Sequence, residues 1–151
     1  MEQLKGRIIY KGKAKGEALV TEMPISFYGG VDPNTGIVTE KGHQLNGQSV
    51  TGKILVFPQG KGSTVGSYTL YRMKKNCVAP AGIINKECET IIAVGAIISE
   101  IPCIDKVDVS KIKARYGIVF DSDDPGFLFT KGPSSNHMEY RIHGLESHAV
   151  V

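Results

Sequence analysis

The sequence contains no tryptophan, only three cysteines and no long hydrophobic run. No two cysteines form a CxxC pair, which argues against a zinc ribbon or a redox pair and predicts reduced, partly buried thiols. The longest nearly apolar stretch, IIAVGAIIS (91–99), is far shorter than the about 20 residues of a membrane span. The N-terminus lacks the apolar segment of a signal peptide. The sequence therefore predicts a soluble, cytoplasmic protein.

Neither basic nor acidic residues predominate in the chain. The chain has 18 basic and 15 acidic residues, a net charge of +3, and no Lys/Arg run longer than two residues. A large nucleic-acid footprint needs a basic stripe or patch, which this balance does not supply. We expect neither nucleic acid nor a membrane as a partner.

Glycine, in contrast, is abundant. The chain has 18 glycines in 151 residues, well above the usual share of about 7%, and no repeat accounts for them. Such a domain needs many turns and loops in which the backbone approaches something closely. The length suits one domain.

The pattern of apolar runs and turn residues predicts the α/β class. In the middle of the chain, strands alternate with helices, which favours parallel pairing. The first fifty residues add strands and turns, so we expect mixed sheets with a βαβαβ half. The predicted strands are 6–12, 17–22, 53–58, 81–85 and 102–105, and the predicted helices run from 63 or 64 to about 74–76 and from 86 to 100.

The segment GKGST (60–64) stands between a predicted strand and a predicted helix. Its glycines allow a ligand to approach the backbone, and Ser63 sits where free N–H groups and the helix dipole attract anions. A nucleotide-binding P-loop requires Lys directly before Ser/Thr, whereas Lys61 precedes Gly62 here. An anion site and a simple N-cap serine after a glycine turn both remain open.

Another glycine-rich segment, the first in chain order, is PISFYGGVDPNTG (24–36), which combines Gly29 and Gly30 with Asp32 and Pro33. These residues predict a tight, well-defined loop. Its length and glycine content suit a functional loop as well as a structural turn.

Metal-ligand patterns are absent. We interpret His43 as a turn residue, and His137, His143 and His148 lie in a polar tail without a zinc spacing. The acidic DSDD (121–124) lacks the EF-hand pattern and is interpreted as a turn between two strands. We expect no metal site on this chain.

Taken in order, EALVTEMPISFYGGVDPNTGIV, LNGQSVTGKILVFPQGKGSTVGSYTLYRMKKN and VAPAGIINKECETIIAVGAIISEIP resemble the small subunit of the aconitase X family, over roughly residues 6–113. The resemblance implies a swivelling β/β/α domain that closes as a lid over a larger partner subunit. It also implies that the partner, and not this chain, carries a [4Fe-4S] cluster, in a heterodimer or a larger complex.

The resemblance implies roles for individual residues. Ser63 matches the serine that removes the substrate proton in aconitase-type mechanisms. Full aconitases have, two places later, an arginine that binds a carboxylate; Val65 stands there, so citrate-type recognition is not expected. The substrate, a small anionic molecule, is expected to contact Gly62, Thr64, Gly29, Gly30 and Asp32.

The family includes two hydro-lyase activities. The GKGSTVGSY segment and the Lys-rich end of the following helix resemble the archaeal form, which dehydrates (R)-5-phosphomevalonate to trans-anhydromevalonate 5-phosphate in a mevalonate pathway of isoprenoid biosynthesis. Dehydration of cis-3-hydroxy-L-proline is the alternative within the family. A non-catalytic module that binds an anion or serves assembly is the alternative outside it.

The resemblance ends near Lys113. We therefore predict a swivel-domain core over 1–113, followed by final strands and an atypical C-terminal tail over 114–151.

Overall fold

The structure is a computed structural model that describes residues 2–121, 127–131 and 139–145. Its strands are β1 (Glu2–Tyr10), β2 (Lys13–Val20), β3 (Ile54–Phe57), β4 (Gly82–Asn85), β5 (Cys103–Asp105), β6 (Gly117–Asp121), β7 (Phe127–Lys131) and β8 (Glu139–Leu145). Its helices are α1 (Phe27–Gly30), α2 (Gly66–Lys75) and α3 (Thr90–Ser99), and a 3₁₀ turn spans Val109–Lys111.

These strands form one mixed sheet that closes on itself in the order β1-β5-β4-β3-β2-β6-β7-β8. Neighbours from β2 to β5 pair in parallel, and α2 and α3 are the crossovers of β3–α2–β4–α3–β5. Strand β1 closes the ring, antiparallel to β5 and parallel to β8. The predicted α/β class, mixed pairing and βαβαβ half are confirmed.

Two hydrophobic clusters pack on the two faces of the sheet. Strand β3 contributes Leu55 and Phe57 to the cluster shared with the helices, and Ile54 and Val56 to the other cluster. All four side chains are fully buried. The continuous apolar run of this strand follows from burial on both faces, as the sequence predicted.

Helix α3 begins at Thr90, later than the predicted residue 86. Glu89 is its N-cap: the carboxylate accepts hydrogen bonds from the backbone N–H groups of Ile91 at 2.8 Å and Ile92 at 3.0 Å. Glu87, which falls inside the predicted helix of 86–100, lies before the observed helix and pairs with Lys106 at 2.6 Å. A carboxylate at the N-cap, just before the first turn, is well placed to accept hydrogen bonds from the free N–H groups of the helix. The predicted start at residue 86 is therefore wrong, and the helix starts after Glu89.

Glycine inside α3 is explained by the helix that packs on it. A Cβ on Gly95 would stand 2.7 Å from Leu70 Cδ1 and 3.3 Å from the backbone of Ser67. The Ser67 hydroxyl donates to the Ile91 carbonyl at 2.7 Å. The close packing of α2 and α3 therefore offsets the low helix propensity of glycine at this position.

Helix α2 begins at Gly66, after the predicted Ser63 or Thr64. The preceding turn is tighter than an α-helix, because Gly66 N–H donates to the Ser63 carbonyl at 2.9 Å and Ser67 N–H to the Thr64 carbonyl at 3.2 Å. Such i→i+3 turns are common at helix ends.

The predicted C-terminus of α2 is confirmed, since the helix ends at Lys75. The cap residue is Asn76, and the residue after it, Cys77, is left-handed, with a φ of 59°. The Val78 N–H donates to the Met73 carbonyl at 2.9 Å. This bond completes a Schellman motif, whose left-handed position falls one residue beyond the cap.

A buried ion pair joins β1 to β5. The Arg7 guanidinium donates to both oxygens of Asp105, at 2.9 and 2.7 Å, and the Asp105 side chain is fully buried. The hydrogen bond to Asp105 raises the pKa of Arg7 above the usual value of an arginine side chain. The same carboxylate accepts the Cys88 N–H at 2.8 Å, so it anchors the approach to α3 as well.

Beyond the 3₁₀ turn, β6 and β7 are the two strands that the sequence predicted around an acidic turn. That turn, together with His137 and His148, lies outside the described residues, whereas His143 lies in β8. Strand β6 pairs with β2, within the sheet of the predicted core. The division at residue 113 stays a prediction.

Candidate functional site

The two glycine-rich segments meet beyond the carboxyl end of β3. Ile25 and Gly60 form a parallel bridge, in which Ile25 N–H donates to the Gln59 carbonyl at 3.2 Å and Lys61 N–H donates to the Ile25 carbonyl at 3.0 Å. Crevices at the carboxyl ends of parallel strands are the usual ligand sites of open α/β sheets. The expectation that the two segments act together therefore has a structural basis.

Gly62 packs directly on Ser26 of the first segment. Its φ is 86°, and a Cβ there would stand 2.5 Å from Ser26 Oγ. That hydroxyl donates to the Tyr28 carbonyl at 2.9 Å. A side chain at position 62 would therefore be strained by the left-handed backbone and would collide with the neighbouring loop.

Ser63 and Thr64 are exposed at the turn before α2. The Ser63 hydroxyl accepts one hydrogen bond, from the Val65 N–H at 3.1 Å. Among the described residues, the N–H groups of Gly62, Ser63 and Thr64 have no acceptor. This stretch combines an accessible hydroxyl with free backbone donors at the start of a ten-residue helix, an arrangement that stabilises negative charge.

The first segment is shaped by its own turns. Gly29 is exposed, with a φ of 81°, in the single turn of α1. Gly30 is buried, and its carbonyl accepts the N–H groups of Thr39 at 2.9 Å and Glu40 at 3.3 Å. Asp32 is half-buried, and its Oδ1 accepts the Asn34 N–H at 2.8 Å. The predicted tight loop is confirmed, while substrate contacts of Gly29, Gly30 and Asp32 stay predictions.

An ion pair joins Lys61 of the GKGST segment to Glu40, which follows the first segment in the chain. Lys61 Nζ lies 3.1 Å from Glu40 Oε2. The other Glu40 oxygen stands 3.4 Å from the position that a Cβ on Gly30 would take. Both side chains are partly exposed, so the pair is worth little as stabilisation. The pair does, however, engage Lys61, which is the lysine nearest in sequence to Ser63.

A cleft of about 560 Å³ opens between the first segment and α2, and the predicted site residues Gly30, Gly62, Ser63 and Thr64 are not among those that line it. Gly29 and Asp32 line it from the loop, and Val65 lines it two residues after Ser63. Two exposed tyrosines, Tyr28 and Tyr68, also line it. The cleft thus brings Gly29 and Asp32 of the first segment to one surface with α2, whereas residues 60–64 lie outside its lining.

The helical side of this cleft was not predicted from the sequence. Val65, Tyr68, Thr69 and Arg72 all line it, and their spacing is that of one helix face. That spacing could have indicated a shared helix face, but the same spacing is typical of any solvent-facing helix surface.

His43 is a turn residue, as predicted, but it is buried. Its Nδ1 accepts the Leu45 N–H at 3.0 Å, and its Nε2 lies 3.1 Å from the Pro24 carbonyl oxygen. Both ring nitrogens are therefore used, one within the turn of His43 itself and the other against Pro24 at the start of the first glycine-rich segment.

The residues of this chain that the structure describes do not fit an iron–sulfur cluster. Such a cluster needs several thiolates or equivalent ligands in one place. In the described ranges no group of three or more His, Cys, Asp or Glu side chains is placed to hold a metal ion. Cys88 and Cys103 are buried, whereas Cys77 is exposed. The hydrogen bond with Cys88 and burial raise the pKa of Cys103 well above its usual range, which keeps the thiol protonated.

No helix in the described part of the chain is both long and apolar enough to cross a membrane.

Known proteins resemble this chain over most of its length. The phosphomevalonate dehydratase small subunit of Thermococcus kodakarensis is 60% identical over 80% of this chain and 91% of its own length. The protein of the same name from Methanosarcina acetivorans is 61% identical over 80% of this chain and 81% of its own length.

Solved structures resemble the fold as well. The crystal structure of Thermococcus kodakaraensis aconitase X (holo-form) matches with a TM-score of 0.78, 60% identity, and coverage of 80% of this chain and 92% of that one. A UPF0107 protein solved by solution NMR matches with a TM-score of 0.71 and 52% identity, over 79% and 92%. The family model of the aconitase X swivel domain matches residues 3–125. The chain therefore belongs to the aconitase X swivel domain family.

Proposed function

We propose that this chain is the small subunit of a hydro-lyase that converts (R)-5-phosphomevalonate to trans-anhydromevalonate 5-phosphate. It works as a lid on a large subunit that carries a [4Fe-4S] cluster. The supporting observation is the identity of 51% to 61% to small subunits that bear this enzyme's name, together with a match to most of their length. Its cytoplasmic location stays a prediction from the sequence.

In this proposal Ser63 is the base. Elimination of water breaks a C–H bond on one carbon and a C–O bond on the next. Ser63 Oγ, ionised as the alkoxide, takes the proton and becomes a hydroxyl, the C–H electron pair becomes the C=C bond, and the C–O pair leaves with the substrate hydroxyl. A neutral serine hydroxyl is too weak a base for this step, and its alkoxide is populated only where the negative charge is stabilised. The free N–H groups of Gly62, Ser63 and Thr64 and the start of α2 supply that stabilisation.

The chain supplies only part of the reaction. Among the described residues, Ser63 has no histidine or carboxylate hydrogen-bonded to its hydroxyl, so a complete hydrolase-type triad is not formed. Departure of the substrate hydroxyl needs groups beyond this chain, and we assign them, with the cluster, to the large subunit. Gly62, Thr64, Gly29, Gly30 and Asp32 are proposed to line the substrate.

The test uses both subunits, purified and combined without oxygen. Ser63→Ala is expected to lower kcat for phosphomevalonate by about 10²–10⁴-fold. Ser49→Ala is the matched control, because the Ser49 hydroxyl is also exposed and accepts the N–H two residues later, from Thr51 at 3.2 Å. Full kcat in the Ser63→Ala complex would remove Ser63 from the base role.

Substrate choice is tested with the same preparation. Turnover of cis-3-hydroxy-L-proline instead of phosphomevalonate would replace the proposed substrate by the alternative. Activity of the large subunit alone would favour a non-catalytic module that binds an anion through residues 60–64 or serves assembly.

A further inference from the structure

The cleft between the first segment and α2, which Val65 lines two residues after Ser63, has the size of a small-molecule site. Its volume of about 560 Å³ falls within the range of about 300–1,000 Å³ typical of ligand pockets. Two charged residues line the cleft: Asp32, which is acidic, and Arg72, which carries a guanidinium. The chemistry of the cleft toward an anion therefore depends on Arg72.

Arg72 is held in place with most of its donors unused. Its Nη2 donates to Asn34 Oδ1 at 3.3 Å, and Asn34 belongs to the turn closed by Asp32. A guanidinium has five N–H donors, and in the described part of the chain this is the one hydrogen bond it makes. The remaining donors suit the planar, paired recognition of phosphate or carboxylate oxygens.

The other charges near the cleft are already engaged. Asp32 Oδ1 accepts a backbone N–H of its own turn, which partly offsets its repulsion of an anion. Lys61 is paired with Glu40. Lys74 and Lys75 lie on α2 but line a different hollow, with Tyr71. Arg72 is thus the basic group that faces this cleft.

The position of Arg72 relative to Ser63 suits an elongated anion. Val65 and Arg72 are seven residues apart on one helix face, about 10 Å along the axis. Helical side chains lean toward the N-terminus, which in α2 is the Ser63 end. A ligand with its reacting carbon at Ser63 would place a distant charged group near the guanidinium.

We propose that Arg72 binds the anionic group of the substrate that lies away from the reacting carbon. This inference rests on the proposed function, in which that group is the 5-phosphate. Arg72 would then determine specificity for the phosphorylated over the unphosphorylated acid, whereas Ser63 performs the proton transfer.

The test compares Arg72→Gln with Lys74→Gln in the two-subunit complex. Lys74 is also exposed and basic, two residues along the same helix but outside the cleft. We expect Arg72→Gln to raise KM for phosphomevalonate at least tenfold with kcat changed less than threefold, and Lys74→Gln to leave both within twofold. Arg72→Lys, which keeps the charge but not the paired donors, should raise KM by an intermediate factor.

Inorganic phosphate supplies a second readout. Phosphate, as a competitive inhibitor, should bind the Arg72→Gln complex at least fivefold more weakly. Its affinity for the Lys74→Gln complex should be unchanged.

Two results would overturn the inference. One is an unchanged KM and phosphate inhibition in Arg72→Gln. The other is a weaker affinity between the subunits that accounts for the whole rise in KM, because Arg72 would then act in assembly. Neither result concerns the base: full activity of Ser63→Ala would refute the proposed proton transfer and leave the Arg72 measurements as they stand.

Discussion

Two strand-to-helix junctions of the same βαβαβ unit treat the start of their helix in opposite ways. At β4–α3, the Glu89 carboxylate accepts the first free N–H groups of the helix, and Asp105 accepts the N–H of Cys88. At β3–α2, the N–H groups of Gly62, Ser63 and Thr64 find no acceptor among the described residues, and the Ser63 side chain is exposed. We call these the closed and the open junction.

The difference shows how a fold divides stability and function between equivalent positions. Both junctions present the positive end of a helix dipole. The closed junction neutralises it with a carboxylate of its own, whereas the open junction leaves it available to a ligand. The closed junction also supports the open one, because a Cβ on Gly60 would stand 2.5 Å from Glu89 Oε1.

After the loss of Ser63 itself, the largest expected effect comes from a change that breaks the open junction. Gly62→Ala should lower kcat of the two-subunit complex about 100-fold, since displacing a catalytic group by about 1 Å has a cost of this order. The added Cβ meets Ser26, so the loop that carries Ser63 has to shift. Steady-state kinetics measures the loss.

Gly42→Ala is the control for this variant. Gly42 has nearly the same left-handed backbone, with a φ of 79°, but a Cβ there meets nothing within 4 Å. It should have comparable backbone strain and full activity. Equal activity in the two variants would contradict the role of the Gly62–Ser26 contact.

A smaller effect separates the two junctions by stability. Glu89→Ala removes the cap of α3 and should lower the free energy of unfolding by about 1–2 kcal/mol. Ser63→Ala in the same chain loses one exposed hydrogen bond and should cost about 0.5 kcal/mol. Urea unfolding of the full chain measures both. Equal losses would mean that Ser63 is a structural cap like Glu89.

The smallest effect concerns the thiols around the closed junction. Iodoacetamide should label exposed Cys77 in the native chain at pH 8, while Cys88 and Cys103 react only when the junction opens. Peptide mass spectrometry distinguishes the three sites. Rapid native labelling of Cys103 would contradict its burial.

The same thiol has a pH signature. Because the pKa of Cys103 is raised above 9.0 in the fold, the unfolded chain loses this proton first as pH rises through about 8.5–9. The free energy of unfolding should therefore fall above that range, with a shallower slope in Cys103→Ala. Parallel slopes in the two chains would contradict the raised pKa.

Much of the fold was predictable because local patterns and global packing agree. ILVF in β3 is buried on both faces, and its apolar run predicts that. The starts of α2 and α3 were less predictable. The acidic residues before α3 indicate a helix start, but only the packed structure decides that Glu89 caps it and Glu87 instead pairs with Lys106.

The candidate site was predictable in part for the same reason. Glycine, serine and proline at particular positions predict loops with special geometry, and the resemblance directs attention to Ser63. Arg72 was not predictable, because a basic residue near a helix end is explained equally well by the helix dipole. Its place in a cleft with Asp32 follows from packing between segments 40 residues apart.

The sequence by itself determined the alternation of strands and helices, the two glycine-rich loops and the family to which they point, because these depend on local backbone preferences and on the order of residues. The tertiary structure alone decided that Gly62 rests on Ser26, that Glu89 closes one helix while α2 stays open, and that Arg72 faces the cleft. Those features depend on distances between segments far apart in the chain, which no local pattern specifies.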